Sequence, residues 1–141
     1  MTFTEKLFPA RLENLPDASR FAEESAELFH LEAKKMFGLQ LALEEAFVNI
    51  CSYAYPNGEG DAELSCGWID DTFVLEIADS GEPFDLLSLP DPDLTLEIMD
   101  REIGGLGIHF IRKMPDRVSY RRKNGCNILR MEFVNRKPSN A

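Results

Sequence analysis

The sequence is poor in cysteine and in long apolar runs. Its three cysteines, Cys51, Cys66 and Cys126, are an odd number without C-x-x-C spacing. This excludes a regular disulfide framework and a self-contained zinc site, and it favours a reducing, cytoplasmic compartment. No apolar stretch approaches the roughly 18 residues that a membrane-spanning helix needs. Residues 1–16 also lack the basic and apolar regions of a secretion signal. The sequence therefore predicts neither a secreted nor a membrane protein.

Basic residues are outnumbered, because 15 Lys and Arg stand against 25 Asp and Glu, for a formal net charge of −10. This balance argues against a general nucleic-acid coat protein. The charges are also unevenly placed: residues 59–102 contain 14 acids and one base, whereas residues 103–141 contain nine bases and two acids. Solvated faces are the simplest explanation. The alternatives are that the basic third meets an anion, or that the acidic middle meets a basic partner.

Helical and strand patterns run through 141 residues, the usual size of one domain. Residues 1–135 are expected to form that domain, and residues 136–141 a frayed polar tail. Periodicity predicts helices, with a break at Gly38 between the first two, over residues 15–31, 39–54 and 105–114. Alternation predicts strands over residues 2–8, 62–69, 72–78, 116–122 and 127–134. Residues 80–104 are predicted to form a long loop, a length typical of lids or disorder. The class is α+β, with helices layered on one face of a sheet.

Three short segments contain side chains suited to chemistry. Glu45 and Asn49 are four residues apart and share one helix face, where an amide oxygen can ligate a hard cation and a carboxylate can accept a proton. Asp79 ends an apolar strand, and Gly81 allows a sharp turn or close approach of a ligand. Each segment alone is more simply a solvated pair or a plain turn.

The third segment, residues 104–108 (G-G-L-G-I), lies where the long loop becomes a helix. Free backbone N–H groups at such a junction bind anions, and glycine lets a phosphate come close. The segment lacks the spacing and the closing Lys-Ser/Thr of a P-loop. It also follows an acidic loop and not a strand, which argues against a dinucleotide-binding turn.

Taken together, the three segments are far more specific. L-E-E-A-F-V-N-I at 43–50, I-A-D-S-G-E-P-F at 77–84 and G-G-L-G-I-H-F-I-R-K-M-P-D-R-V-S-Y at 104–120 resemble the GHKL ATPase superfamily, and most of all its anti-sigma factor serine kinases. The resemblance covers residues 3–133. It implies a two-layer α/β sandwich of the Bergerat type, with a mixed, mostly antiparallel sheet and helices on one face. Histidine kinases of this superfamily need an added dimerisation helix, for which this length leaves no room.

The resemblance also implies roles for single residues. Asn49 would hold the Mg²⁺ that bridges the ATP phosphates, and Glu45 would be the general base toward the attacking hydroxyl. Asp79 would bind the adenine amine, and Gly81 would let the base lie against the backbone. Residues 82–103 would be the ATP lid. The phosphates would lie against the start of the next helix, at Gly105, Leu106 and Gly107.

The function implied is that of an anti-sigma factor with serine/threonine kinase activity. Its implied partners are a STAS-type antagonist, which it phosphorylates, and a sigma factor, which it sequesters; a homodimer is allowed. Two positions depart from the family pattern: Tyr53 replaces a frequent His, and Ile103 replaces an Arg found near the phosphates in some relatives, although Arg101 is close. Missing positive charge slows phosphoryl transfer. A nucleotide-gated binding module without useful kinase activity is therefore the alternative, and a nucleotide-free structural domain is a third.

Overall fold

The computed structural model describes residues 3–56, 58–88 and 110–135. In chain order, its main elements are β1 (Phe3–Pro9), α1 (Leu15–Glu27), α2 (Ala33–Asn49), β2 (Asp61–Ile69), β3 (Thr72–Asp79), β4 (Arg117–Lys123) and β5 (Cys126–Val134). Short helical turns add to these: two 3-10 turns, at Leu12–Asn14 and Leu86–Ser88, and a π-helical turn, Ile50–Ala54, that continues α2. Residues 110–113 are also helical. No helix in the described part of the chain is long and apolar enough to cross a membrane.

The five strands form one sheet in the order β1-β2-β3-β5-β4. Every pairing between these strands is antiparallel, so within the described residues the sheet lacks the parallel pairing of the expected mixed sheet. Two tight turns join neighbouring strands. Asp70 turns β2 into β3 and Asn124 turns β4 into β5, both with positive φ, and Gly125 follows at φ 78°. Asp, Asn and Gly are the residues that tolerate this conformation, so both predicted hairpins are confirmed.

The core lies between one face of the sheet and the two helices. Inward residues alternate along β2 and β3 and are fully covered, and α1 and α2 contribute mainly alanine, leucine and phenylalanine: Ala62, Leu64, Cys66, Phe73, Leu75, Ile77, Ala18, Ala22, Leu39, Leu43 and Phe47. α1 packs on β2, and α2 contacts β5. The sheet's other face carries charged residues such as Glu63, Glu76 and Arg130. The predicted two-layer α+β arrangement is thereby confirmed.

The expected helix break at Gly38 is wrong, because Gly38 lies inside α2 and is buried. A Cβ at this position would lie 3.1 Å from the Cβ of Met114, so the glycine serves close packing and not a turn. The first helix is also shorter than predicted. It ends at Glu27, and Leu28, expected in its apolar stripe, is 68% exposed. The polar tail after residue 135 lies outside the described residues.

Candidate functional site

The end of α2 carries Glu45 and Asn49 on one face, as their spacing predicts. Both side chains are half-buried, and Nδ2 of Asn49 donates to the carbonyl oxygen of Glu45 at 2.9 Å. That bond commits the amide nitrogen to the helix backbone. Directly after Asn49 the helix widens into the π-helical turn Ile50–Ala54, a local irregularity that is frequent at functional sites. The amide oxygen of Asn49 accepts no hydrogen bond within the described residues, so it is available to a ligand.

Glu45 has an unusual electrostatic environment. Its Oε2 atom is buried and has no hydrogen-bond partner among residues 3–56, 58–88 and 110–135. Burial raises the pKa of Glu45, and the neighbouring negative charge of Glu44 raises it further. Glu44 itself is exposed, because it is rotated about 100° around the helix. A carboxylate with a raised pKa and a free oxygen is suited to accepting a proton.

Asp79 ends β3 as a buried acid, only 8% exposed. Its Oδ1 atom accepts two hydrogen bonds, one from the backbone N–H of Gly81 at 2.9 Å and one from Nδ2 of Asn127 at 3.0 Å. Within the part of the chain that the structure describes, its Oδ2 atom accepts none. Oδ2 is therefore the atom of this side chain that a ligand with an N–H group would satisfy.

Both the nitrogen and the oxygen of the Asn127 side-chain amide form hydrogen bonds. Its Nδ2 donates to Oδ1 of Asp79 and, at 2.7 Å, to the carbonyl oxygen of Glu82. Its Oδ1 accepts from the hydroxyl of Tyr120 at 2.6 Å and from the backbone N–H of Phe84 at 3.2 Å. The residue is 7% exposed and lies directly opposite Asp79 in the pairing of β3 with β5. Asn127 thus fixes both the acid and the turn that follows it.

The turn after Asp79 is held by groups on both sides. The hydroxyl of Tyr55 donates to the carbonyl oxygen of Asp61 at 2.6 Å and accepts from the N–H of Ser80 at 2.9 Å. On the other side, Arg122 donates to the carbonyl oxygen of Gly81 at 2.8 Å. Most backbone polar groups of the turn are therefore paired before any ligand arrives.

Gly81 is required by packing within the protein itself. A Cβ at this position would lie 2.3 Å from the carbonyl oxygen of Ala54 and 2.7 Å from its Cβ. The N–H of Glu82 donates to the same carbonyl at 3.3 Å, which ties the turn to the end of the π-helical segment. The glycine therefore allows the turn after Asp79 to come close to the end of the π-helical segment Ile50–Ala54. Its expected contact with a bound base stays a prediction.

A cavity of about 140 Å³ brings Asn49 and Asp79 together. Mostly apolar side chains line the rest of it, with one half-exposed tyrosine and two further polar residues: Ile50, Ala54, Pro83, Phe84, Leu86, Tyr53, Glu82 and Asn127. A volume this far below the usual 300–1,000 Å³ of a ligand site suits one ring system rather than a whole nucleotide. Glu45 is not among the lining residues and lies one helical turn away. Gly105, Leu106, Gly107 and Ile103 lie outside the described residues, as does most of the expected lid.

Sequence reasoning missed Tyr55, Tyr120, Arg122 and Asn127. A signal for Asn127 was present: it occupies an inward position in a row otherwise filled by Leu129, Met131 and Phe133. A polar residue in such a row needs partners, which indicates a buried network. Tyr55 and Arg122 gave no comparable signal, because they bind backbone atoms distant in sequence.

Comparison with known proteins agrees with this geometry. The model of the histidine kinase-like ATPase domain matches residues 8–133. The chain therefore belongs to the histidine kinase-like ATPase family, and membership implies a site for ATP.

Among individual proteins, the chain is 32% identical to the serine/threonine-protein kinase BtrW of Bordetella bronchiseptica over 114 residues, 80% of each chain. It is 27% identical to the serine-protein kinase RsbW of Bacillus licheniformis over 106 residues, which are 70% of this chain and 65% of that one. RsbW of Halalkalibacterium halodurans is 29% identical over 102 residues, 70% of this chain and 62% of the relative. The chain thus spans four fifths of BtrW and slightly less than two thirds of these RsbW proteins.

Proposed function

We propose that the protein is an ATP-dependent serine/threonine protein kinase that acts on a regulatory partner. The observation that carries this proposal is the cavity shared by Asn49 and Asp79, each of which has an unused oxygen. Oδ2 of Asp79 would accept a hydrogen bond from the exocyclic amino group of adenine, and the apolar side chains that line the cavity would cover the faces of the ring. Gly81 would shape the turn beside the base. Gly105, Leu106 and Gly107 would contact the phosphates, as the family resemblance implies.

The residues present fit a magnesium ion. Mg²⁺ takes oxygen ligands and is commonly held by one or two protein groups together with substrate phosphates. Asn49 offers its amide oxygen because its nitrogen is bound to the carbonyl of Glu45. The described residues contain no cluster of three His, Cys, Asp or Glu that could hold a metal alone. Bound there, Mg²⁺ would supply neutralisation of phosphate charge.

Glu45 is the proposed catalytic base. Its position one turn before Asn49 would place it near the terminal phosphate and not near the base. The carboxylate would accept the proton of a serine or threonine hydroxyl as that oxygen bonds to the γ-phosphorus. The bond between the γ-phosphorus and the oxygen that bridges it to the β-phosphate would break, and ADP would leave with that oxygen and its electron pair. The raised pKa of Glu45 makes it a better proton acceptor than an ordinary surface glutamate.

By the family resemblance, the phosphorylated partner would be a STAS-type anti-sigma-factor antagonist, and the protein would also sequester a sigma factor. The kinase names of BtrW and RsbW support the transferase part of this proposal. The three free thiols fit the reducing cytoplasm in which such a system operates.

The test is transfer of label from γ-³²P ATP to a STAS-domain protein encoded beside this chain. Label on a serine or threonine of that partner, lost with Glu45→Gln, is the expected result. ATP binding without any transfer would replace the kinase with the alternative function, a module whose partner affinity depends on bound nucleotide. Ile103, at a position where some relatives have an arginine, favours that alternative. Absence of ATP binding would overturn both.

A further inference from the structure

The amide of Asn127 is held in one orientation. Its nitrogen faces two acceptors, Oδ1 of Asp79 and the carbonyl oxygen of Glu82. Its oxygen faces the N–H of Phe84, which can only donate. Turning the amide over would oppose oxygen to oxygen on one side and nitrogen to N–H on the other. The network therefore determines which end of the amide meets Asp79.

Tyr120 strengthens this orientation from the neighbouring strand. Its hydroxyl lies 2.6 Å from Oδ1 of Asn127, the shorter of the two bonds to that oxygen. Tyr120 also lines a smaller cavity, of about 30 Å³, which shares Asp79 and Asn127 with the larger one. Because Nδ2 of Asn127 uses both its hydrogens, it has none left for a ligand. The hydroxyl of Tyr120 thus influences Asp79 through the asparagine.

These hydrogen bonds determine which oxygen of Asp79 is left for a ligand. Its Oδ1 is occupied by two donors, and no donor from the described residues meets its Oδ2. A carboxylate that carries no proton offers a ligand only hydrogen-bond acceptors. A purine with an amino group at position 6 presents a donor there, whereas a 6-oxo purine presents an oxygen, which would face the carboxylate without a proton between them.

We propose that Tyr120 and Asn127 are positioning residues that hold Asp79 as a pure hydrogen-bond acceptor, and so select a 6-amino purine over a 6-oxo purine. This inference rests on the proposed nucleotide site and names the groups that determine its base preference. In this arrangement both residues act through the carboxylate, although Asn127 also lines the cavity.

The experiment compares the affinities of ATP and inosine triphosphate, which differ at purine position 6, by calorimetry in each variant. The ratio of the two affinities is the readout, because general damage to the fold lowers both together. The wild type is expected to favour ATP by about 100-fold or more. Asn127→Asp puts two acids side by side that must share a proton, so the ratio is expected to fall about tenfold or more. Tyr120→Phe, a milder change, is expected to lower it about threefold.

Ser119→Ala is the matched control, because it removes a hydroxyl from an exposed neighbour of Tyr120 on the same strand. Its ratio is expected to equal that of the wild type. A wild type that prefers ATP while Tyr120→Phe and Asn127→Asp keep its ratio would overturn this inference and leave the proposed function standing. Equal wild-type affinity for both nucleotides would also overturn it. A wild type that binds neither nucleotide would overturn the proposed function together with the inference.

Discussion

Asn49 donates its side-chain N–H to the carbonyl oxygen of Glu45, one helical turn earlier, at 2.9 Å. The bond orients the amide so that its oxygen is the free end. The four-residue spacing places the two side chains on one face of α2, next to the point where the helix widens. Glu45 and Asn49 therefore form a unit, but their proposed roles differ and are separable by experiment.

The first prediction concerns binding. Asn49→Ala removes the proposed magnesium ligand, and Asp79→Ala removes the acceptor for the base. Each is expected to lower the affinity for Mg²⁺–ATP by about tenfold or more, since an interaction with a charged group contributes about 1.5–3 kcal/mol. Calorimetry gives the affinity, and circular dichroism of the same samples reports whether the fold is retained. Unchanged affinity in both folded variants would show that ATP does not bind in this cavity.

The second prediction separates binding from transfer. Glu45→Gln is expected to keep ATP affinity and to lower phosphoryl transfer by roughly 10²–10⁴-fold, the usual contribution of a positioned base. Glu44→Gln is the matched control: it is adjacent, exposed and directed elsewhere on the helix, so transfer is expected to change little. Equal transfer rates in wild type and Glu45→Gln would exclude Glu45 from catalysis.

A third prediction follows from the raised pKa of Glu45, caused by burial and then by Glu44. A pKa higher in the folded than in the unfolded chain favours folding below the ordinary pKa, and this advantage is lost as the pH rises through the folded value. At neutral pH the buried charge therefore lowers stability. Glu45→Gln is expected to raise the melting temperature more at about pH 7 than at about pH 4. The opposite pH trend would contradict the buried, unpaired charge.

Glu76 provides the opposite case, on the outer face of the sheet. Burial alone would raise its pKa, but hydrogen bonds from Arg121 and Arg130 outweigh that effect and lower the pKa of Glu76. Arg130 lies 3.0 Å from its Oε2. A lowered pKa adds stability above the ordinary value, which is lost as the pH falls through the folded one.

The fourth prediction is that Glu76→Gln lowers the free energy of unfolding by about 1 kcal/mol or less at neutral pH, because the groups are partly exposed. The difference between variant and wild type is expected to shrink toward about pH 3, because Glu76 of the wild type takes up a proton as the pH falls through its lowered pKa. Urea unfolding at the two pH values measures it. A deficit that is constant with pH would mean that packing, and not charge, is lost.

Much of the fold followed from local pattern. Strand alternation and turn residues predicted both hairpins, since Asp70 and Asn124 tolerate the positive φ that their turns require. The predicted helix break at Gly38 was wrong because glycine serves close packing as well as helix breaks. Only the tertiary neighbour, Met114, shows that packing is its role here. The prediction that Leu28 lies in the apolar stripe of the first helix was wrong, because such a stripe does not show where a helix ends.

The candidate site could be predicted only in part. Helix spacing was enough to pair Glu45 with Asn49. The position of Asp79 in the same cavity as Asn49 depends on the whole sheet, and the sequence indicated it only through family resemblance. The support around Asp79 depends on strand register, because Asn127 lies opposite it in the pairing of β3 with β5, 48 residues away in sequence. No local pattern specifies such a distant pairing.

The last prediction tests how the turn after Asp79 is positioned. Gly81→Ala would place a methyl group 2.3 Å from the carbonyl oxygen of Ala54, a backbone atom that cannot move away cheaply. The turn would shift, carrying with it the N–H that binds Oδ1 of Asp79. We expect ATP affinity to fall about tenfold or more, the usual effect of losing one hydrogen bond to a charged group. Gly58→Ala is the matched control, because a Cβ there meets no atom within 4 Å. Its affinity is expected to match that of the wild type. If both alanine variants bind ATP equally well, the contact between Gly81 and Ala54 does not position the acid. The turn must then be held by the hydrogen bonds of Tyr55, Arg122 and Asn127.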